Sequence, residues 1–444
     1  MNKKKLHFIL PSLLGVLIFL TPIPWDGKLT IVIGIVTDWI KSLMGDYGLH
    51  IVVGITVITS ILTVLGTIFR ISWIQRHHGF KDLFDVPVIW LLLRLLGTTF
   101  GLIYLFQFGP ELLKSETIGG AVFVDIGISV VAIYSGACLL LPLLTDFGFM
   151  EFAGTLARPA FRKVFKLPGR SAIDAVTSFV GASSIGCLIT IGQYDRGNYT
   201  AREACVIATN FSIVSIPFCL VVAAVAGISE YFIGWYGIII VACLIAAFVT
   251  PRLPPLSRKV DAYVGGEPKT TSDGNPKPAS LLGEAWENAL VRAEQAPDIR
   301  AFFATGLKNM MFFMFSIITA TMALATMAAL ITFHTPIFSW LGYPFIAMLE
   351  FAQLPEASAA APALFSGYMD QYMPAIVAKG IDSDVTSFVL AGLSVCQLIF
   401  MSELGVIILR SSLPLGVVEL AAIFLLRTVI VLPVLILGAH FVVN

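Results

Sequence analysis

Charge is scarce in this 444-residue chain. Asp, Glu, Lys and Arg make up 13% of it, 28 basic residues balance 28 acidic ones, and 57% of all residues are hydrophobic. No run of lysine or arginine is long enough to track a phosphate backbone, which argues against nucleic acid as a partner. The six cysteines (Cys138, Cys187, Cys205, Cys219, Cys243, Cys396) lie in apolar stretches without CxxC spacing, so they read as small buried hydrophobes and not as metal ligands or a redox pair. HExxH, GxSxG and GxxxxGK(S/T) are all missing, which removes the residues of the usual membrane metalloprotease, serine hydrolase and P-loop pump. No set of nucleophile, base and oxyanion donors is visible, so neither an enzyme activity nor a cofactor is expected.

What is present is a series of runs of 18 or more residues with few charges, which a bilayer can host and water cannot. The start, MNKKKLHFILPSLLGVLIFL, has a basic front and an apolar core, but TPIPWDG offers no small-x-small cleavage site, so it reads as an uncleaved first helix. Lys3, Lys4 and Lys5 place the N-terminus in the cytoplasm, with residues 7–23 crossing outward. Residues 29–44 carry Asp38 and Lys41 and are short for a span. If they stay in the interface or re-enter, Arg70, Arg76 and Lys81 fall inside, as the positive-inside rule prefers. Residues 49–69, 86–108, 119–143, 231–250, 304–333 and 415–441 read as spans, and residues 251–300 as a polar, mobile cytoplasmic linker. His77 and His78, in a basic loop, read as a solvated interface and not as a metal site.

One apolar stretch is interrupted in its middle. SFVGASSIGCLITIGQ (178–193) is flanked by Arg170 on one side and Arg196 and Arg202 on the other, cytoplasmic-type charge at both ends. Two short limbs, 172–180 and 187–194, joined by GASSIG suit a re-entrant hairpin, glycine permitting the turn. Thr200 and Glu203 then form a T-x-x-E capping box opening a helix through residue 226, within which Pro217 weakens the backbone beside Asn210, Ser212 and Ser215.

The design recurs. FAQLPEASAAAPALFSGYMDQYMPAIVAKG (351–380) reads as a second hairpin, turning at SGYMDQ and entering from outside, followed by a helix over 385–409. An offset of 182 residues lays Thr200 on Asp382, Ser212 on Ser394 and Ser215 on Gln397, and the charge-based topology puts the two units in opposite orientation, the arrangement of inverted-repeat transporters. The second helix has no proline, so its break is less directly encoded. The expected fold is an all-α polytopic membrane protein in four parts: membrane helices 1–144, a first hairpin unit 145–250, the linker 251–300 and a second hairpin unit 301–444.

Costly polar groups at membrane depth then nominate a solute site: Ser183 and Ser184 at the first tip, Asn210, Ser212 and Ser215 after it, Ser366, Asp370 and Gln371 at the second tip, and Ser394, Gln397 and Glu403 after that. The bland reading of the serines is interhelical hydrogen bonding at about 0.6 kcal/mol each. Arg94 and Arg427, within spans, read equally as paired structural charges or as parts of a transport path, and no site is assigned to them. The leading expectation is a secondary transporter of a small polar solute, alternating between two opposed hairpins and coupled to H+ through Glu403 or to Na+ held by carbonyls near Pro217. The alternative is a non-transporting membrane scaffold or sensor acting with a second membrane protein.

The residues LTDFGFMEFAGTLARPAFRKVFKLPGRSAIDAVTSFVG and QYDRGNYTAREACVIATNFSIVSIPF resemble the nucleoside-recognition or Gate domain, specifically the YjiH family of bacterial inner-membrane proteins. The resemblance extends over nearly the whole chain and is most specific in PGRSAIDAVTSFVG and GNYTAREA. It implies kinship with concentrative nucleoside transporters and with the membrane part of ferrous-iron transporters, whose hairpins and broken helices enclose a central site. It also implies a bacterial inner-membrane location, with a homo-oligomer or a second Gate-domain protein as partner. Where nucleoside transporters resemble Gln-Thr-Glu at the first tip, this chain has Ala182-Ser183-Ser184, and the solute stays open among nucleoside-like molecules, amino acids and small peptides.

Overall fold

The computed structural model describes residues 3–25, 28–180, 183–264 and 280–443. Among these the one sheet is an antiparallel ribbon pairing Pro22–Trp25 with Lys28–Ile31, and nearly everything else is helix. The medium explains that balance, because in hydrocarbon each backbone N–H and C=O must be satisfied within its own segment. Six helical stretches among the described residues are long and apolar enough to cross a bilayer: Val32–Thr67, Val88–Phe106, Glu111–Thr145, Ser229–Arg252, Ile299–His334 and Val417–Val442. The chain is an all-α, multi-pass membrane protein.

Four elements differ from the sequence expectation. The first helix is Lys3–Phe19, only 17 residues, and its Phe8 packs edge-on against Trp286, their ring centroids 5.3 Å apart. Trp286 belongs to Leu281–Glu294, inside the expected linker. Its small buried face, Ala285, Ala289 and Ala293, docks this helix onto Phe149–Ala160, and Arg292 pairs with Asp146 at 3.2 Å. That half of the linker is a packed amphipathic helix and not a mobile tether, while residues 265–279 lie outside the described residues. Val32–Met44 does not stand apart as a surface helix: it buries Ile33 and Thr37, packs on Ser129–Leu140 and runs on through 45–47 into Gly48–Thr67. Finally, a helix at Ile337–Phe351 that the apolar pattern did not single out lies beside Ala363–Ser366.

Two hairpins and two interrupted helices fill the centre. The first hairpin consists of Ser171–Val180 and Ser183–Asp195, with Gly181 and Ala182 of its tip outside the described residues. Gly186 lets the limbs approach, since a Cβ there would come 1.6 Å from Ser178 Oγ. The following helix, Ala201–Asn210, opens on the expected capping box: Glu203 N donates to Thr200 Oγ1 (3.2 Å) and Thr200 N to Glu203 Oε2 (2.8 Å). It unwinds over residues 211–215 and resumes as Ile216–Val225 with Pro217 in its first turn, so the break falls where the proline was expected to weaken it.

The second hairpin descends through Ala357–Ala360 and Ala363–Ser366, turns over residues 367–372 and returns as Met373–Ala378. The next helix, Asp384–Cys396, is capped by Ser383, whose hydroxyl accepts from Thr386 N, and not by Asp382. It too is interrupted, over residues 397–403, before resuming as Leu404–Leu409, so residues 385–409 are not one helix. The 182-residue offset therefore aligns neither caps nor breaks: Ser212 and Ser215 lie in an unwound stretch, whereas Ser394 is still helical. The packing of these units is crosswise. Ser183–Asp195 lies against Ala201–Asn210 and also against Leu404–Leu409, while Met373–Ala378 lies against Asp384–Cys396 and also against Ile216–Val225.

Candidate functional site

Where the two interrupted helices meet the two hairpins, a cavity of about 40 Å³ remains. Four sequence-nominated residues line it, one from each element: Ser183 opens the second limb of the first hairpin, Ser215 ends the first break, Gln371 sits on the second tip and Glu403 ends the second break. Gln371 Nε2 faces Glu403 Oε2 at 3.5 Å, and Ser184 is a further polar neighbour of that carboxylate. Aromatic rings complete the walls. Tyr134 stacks on Phe313 with centroids 4.5 Å apart, and Phe218 lies against Tyr372 at 4.9 Å.

The remaining nominated residues are buried but do not line this cavity. Asn210 ends its helix with its amide fully engaged: Nδ2 donates to Val206 O (3.2 Å) and Thr209 Oγ1 (3.0 Å), and Oδ1 accepts from Arg427 Nη1 (2.8 Å). Ser212 is buried within the break. Ser394 Oγ accepts from Ala375 N (3.0 Å), tying the second hairpin to its neighbouring helix, which is the packing role general to membrane serines. Gln397 Nε2 donates to Leu364 O and to Thr428 Oγ1, both at 2.9 Å. Asp370 Oδ1 accepts from Tyr372 N (2.9 Å), and Ser366 ends the descending limb just above the turn. The unwound second stretch is itself laced to the tip, with Met401 N donating to Tyr368 O (2.8 Å) and Ser402 N to Met369 O (3.0 Å).

Several residues to which the sequence reading assigned no site take part in the arrangement. Arg427, fully buried in Val417–Val442, donates through Nε and Nη2 to Cys396 O (3.0 and 2.7 Å) and through Nη1 to Asn210, so one guanidinium holds the ends of both helix halves that lead into the breaks. Its charge is solvated by neutral oxygens and not by a carboxylate, and the same holds for Arg94, bound to the Thr63 hydroxyl (2.7 Å) and Leu83 O (2.8 Å). Of the two readings left open for these arginines, the charge pair is replaced by bonds to neutral oxygens. The signal for Arg427 was present as one cation in an apolar span. Its task was not, because helix C-termini far away in sequence leave the carbonyls that it satisfies. Tyr134 and Phe313 had no signal beyond their apolar runs. In the first hairpin Tyr199 donates to Asp174 Oδ2 (2.7 Å), a buried pair that anchors the incoming limb.

The six cysteines are buried and free, with Cys243 Sγ 3.7 Å from Cys396 Sγ. No cluster of three or more His, Cys, Asp or Glu suited to a metal ion occurs among the described residues.

Against known proteins, the Gate family, described as nucleoside recognition, matches residues 128–229, from Ser129–Leu140 through the first hairpin and its interrupted helix. Two solved structures of CNTnw variants, in an outward-facing and an intermediate 1 state, each cover 98% of this chain and of their own at 14% identity, with TM-scores of 0.43 and 0.41. An uncharacterized protein of Alkalihalophilus pseudofirmus is 41% identical over 436 residues, 98% of this chain and 94% of its own length. With a relative matched almost end to end, the chain belongs to the same family as the A. pseudofirmus protein, and its residues 128–229 form a Gate domain.

Proposed function

We propose that this chain is a membrane transporter for a small polar solute, which it passes between two opposed hairpins by alternating access. The crosswise packing carries the reading. If each hairpin sits on the first half of its own interrupted helix and the second half of the other, the two helices run in opposite senses, and the hairpins close the centre from opposite faces of the bilayer. Each of the four elements then delivers one polar side chain (Ser183, Ser215, Gln371, Glu403) to the same cavity.

The chemistry of the walls favours a solute with a planar face and polar edges, such as a nucleoside or a ring-bearing amino acid, held between Tyr134/Phe313 and Phe218/Tyr372 with Gln371 and Glu403 reading its edge. At about 40 Å³ the cavity has room for roughly three waters and no such solute, so a hairpin must move for it to load. A wider hollow of about 510 Å³, lined by Lys41, Asp125, Lys379 and Asp384, flanks the base of the second hairpin and supports entry on that side. Orientation follows the charge: the basic segment 158–170, the helix Leu281–Glu294 and the N-terminal helix cluster together, which by the positive-inside rule is the cytoplasmic side.

The test is flux into proteoliposomes over a panel of nucleosides, amino acids and dipeptides. A solute taken up by the wild type should be lost in Gln371→Ala and Glu403→Gln while both variants still fold. Absence of flux and of solute-dependent stabilisation, with a second membrane protein co-purifying in fixed ratio, would replace this reading with that of a partner-dependent scaffold or sensor.

A further inference from the structure

Cys243 and Cys396 are 153 residues apart in the chain, yet their sulfurs stand 3.7 Å from each other and both side chains are fully buried. No CxxC spacing announces the pair, so only the fold makes it. The approach belongs to a longer seam between Phe232–Val249 and Asp384–Cys396. Tyr231 OH donates to Asp384 Oδ2 (3.3 Å) and Trp235 Nε1 to Phe388 O (3.1 Å), each across the same separation of 153 residues. A constant separation means that the two helices run parallel and in register as far as the cysteines. Cys396 Sγ also stands 4.0 Å from Ile239 O, one turn before Cys243, which lays its side chain on the neighbouring backbone. A disulfide bond asks the two sulfurs to close by roughly 1.7 Å, the scale of a side-chain rotation.

The position gives such a bond a consequence. Cys396 is the last residue of its helix, and its carbonyl accepts from Arg427 Nε and Nη2 just before the chain unwinds. The Cys243 side chain lies beside the same guanidinium, the positive neighbour that reactive thiols have. We infer that Cys243 and Cys396 are a reversible disulfide pair, oxidised by hydrogen peroxide, whose closure clamps the end of Asp384–Cys396, and with it the entry to the second break, onto Phe232–Val249. Burial selects the oxidant, because a bulky or charged reagent has no path to either sulfur, whereas hydrogen peroxide is small and uncharged. One sulfur attacks a peroxide oxygen as the O–O bond breaks, giving a sulfenic acid and a hydroxide that takes that thiol's proton and leaves as water. The second sulfur attacks the sulfenic sulfur, the S–O bond breaks, and the departing hydroxide leaves as water with the second proton. Two thiols are oxidised and one peroxide is reduced. The inference rests on the facing sulfurs and the register of the seam, independent of whether the chain transports.

The experiment treats the folded full-length protein in detergent with hydrogen peroxide, quenches with catalase, unfolds the chain in N-ethylmaleimide to block the remaining thiols, and maps the digest by mass spectrometry. One intramolecular disulfide should join the peptides of Cys243 and Cys396, with the other four cysteines alkylated, and dithiothreitol should return all six thiols. Cys243→Ser and Cys396→Ser should each lose the bond, and Cys219→Ser should keep it. Oxidation should raise the wild-type melting midpoint, dithiothreitol should reverse the rise, and Cys396→Ser should show no change. The mapping of the wild type needs no variant, so a substitution that does not fold leaves the test standing. Six alkylated cysteines at a peroxide dose that oxidises the unfolded chain overturn the inference. So do a sulfinic acid at either position without a disulfide, a bond between other cysteines or between two chains, and a Cys243–Cys396 bond that leaves the melting midpoint where it was.

Discussion

The two helix breaks arise from different causes. The first unwinds over residues 211–215 ahead of Pro217, whose missing N–H and ring start a new helix at Ile216. The second unwinds over residues 397–403 with no proline at all, and Leu398 there adopts φ +62°, a left-handed conformation that a non-glycine residue holds only under outside constraint. The constraint is tertiary. Arg427 takes the Cys396 carbonyl, Gln397 is turned onto Leu364 and Thr428, and the tip of the second hairpin supplies carbonyls to Met401 and Ser402. One break is written into the local chain and the other is enforced by its neighbours, so they should fail differently.

The sharpest way to separate them is Arg427→Leu. It strips the Cys396 carbonyl and Asn210 Oδ1 of their donors, and with two buried acceptors left unsatisfied the cost should be about 3 kcal/mol or more, read as a collapse of the detergent melting midpoint and of folded yield. Pro217→Ala is the matching change at the first break. If the proline only starts a helix whose first N–H is unused anyway, the loss should stay under about 1 kcal/mol, and a loss as large as that of Arg427→Leu would erase the distinction.

The hairpins can be compared in the same way. Gly186→Ala drives a Cβ against Ser178, 2.7 Å from its Cβ and 3.0 Å from its Cα, on the facing limb, and should cost about 1–3 kcal/mol by forcing the limbs apart. Gly367→Ala meets Gln397 Oε1 at the end of a side chain and not backbone, so its stability cost should be smaller. Smallest in stability, Asp125→Asn removes the exposed ion pair with Lys379 at the base of the second hairpin and should change melting by under about 0.5 kcal/mol. An effect of that change on flux and not on melting would mark the pair as a latch on hairpin movement.

Much of this was legible beforehand, and the misses share a cause. The limbs of the first hairpin were expected at 172–180 and 187–194 and stand at Ser171–Val180 and Ser183–Asp195, because small residues and flanking charge act locally. The capping box was read directly, since T-x-x-E closes within one turn. The second break, the docked helix Leu281–Glu294 and the positions of the cap and break in the second unit were missed, because each depends on partners distant in the chain. The nominated residues divide by the same rule. Ser183, Ser215, Gln371 and Glu403 reach the cavity, whereas Asn210, Ser394 and one end of Gln397 are spent on structure.

The sequence by itself determined that the chain lives in a bilayer and that two small-residue hairpins interrupt its apolar helices, because hydropathy, glycine, proline and helix caps act over one or two turns. Only the tertiary structure decided which buried polar groups face each other and that Arg427 closes two helix ends at once. Those outcomes depend on desolvated groups finding partners across distant segments, and in the low dielectric of the membrane interior that search, not local propensity, sets the energy.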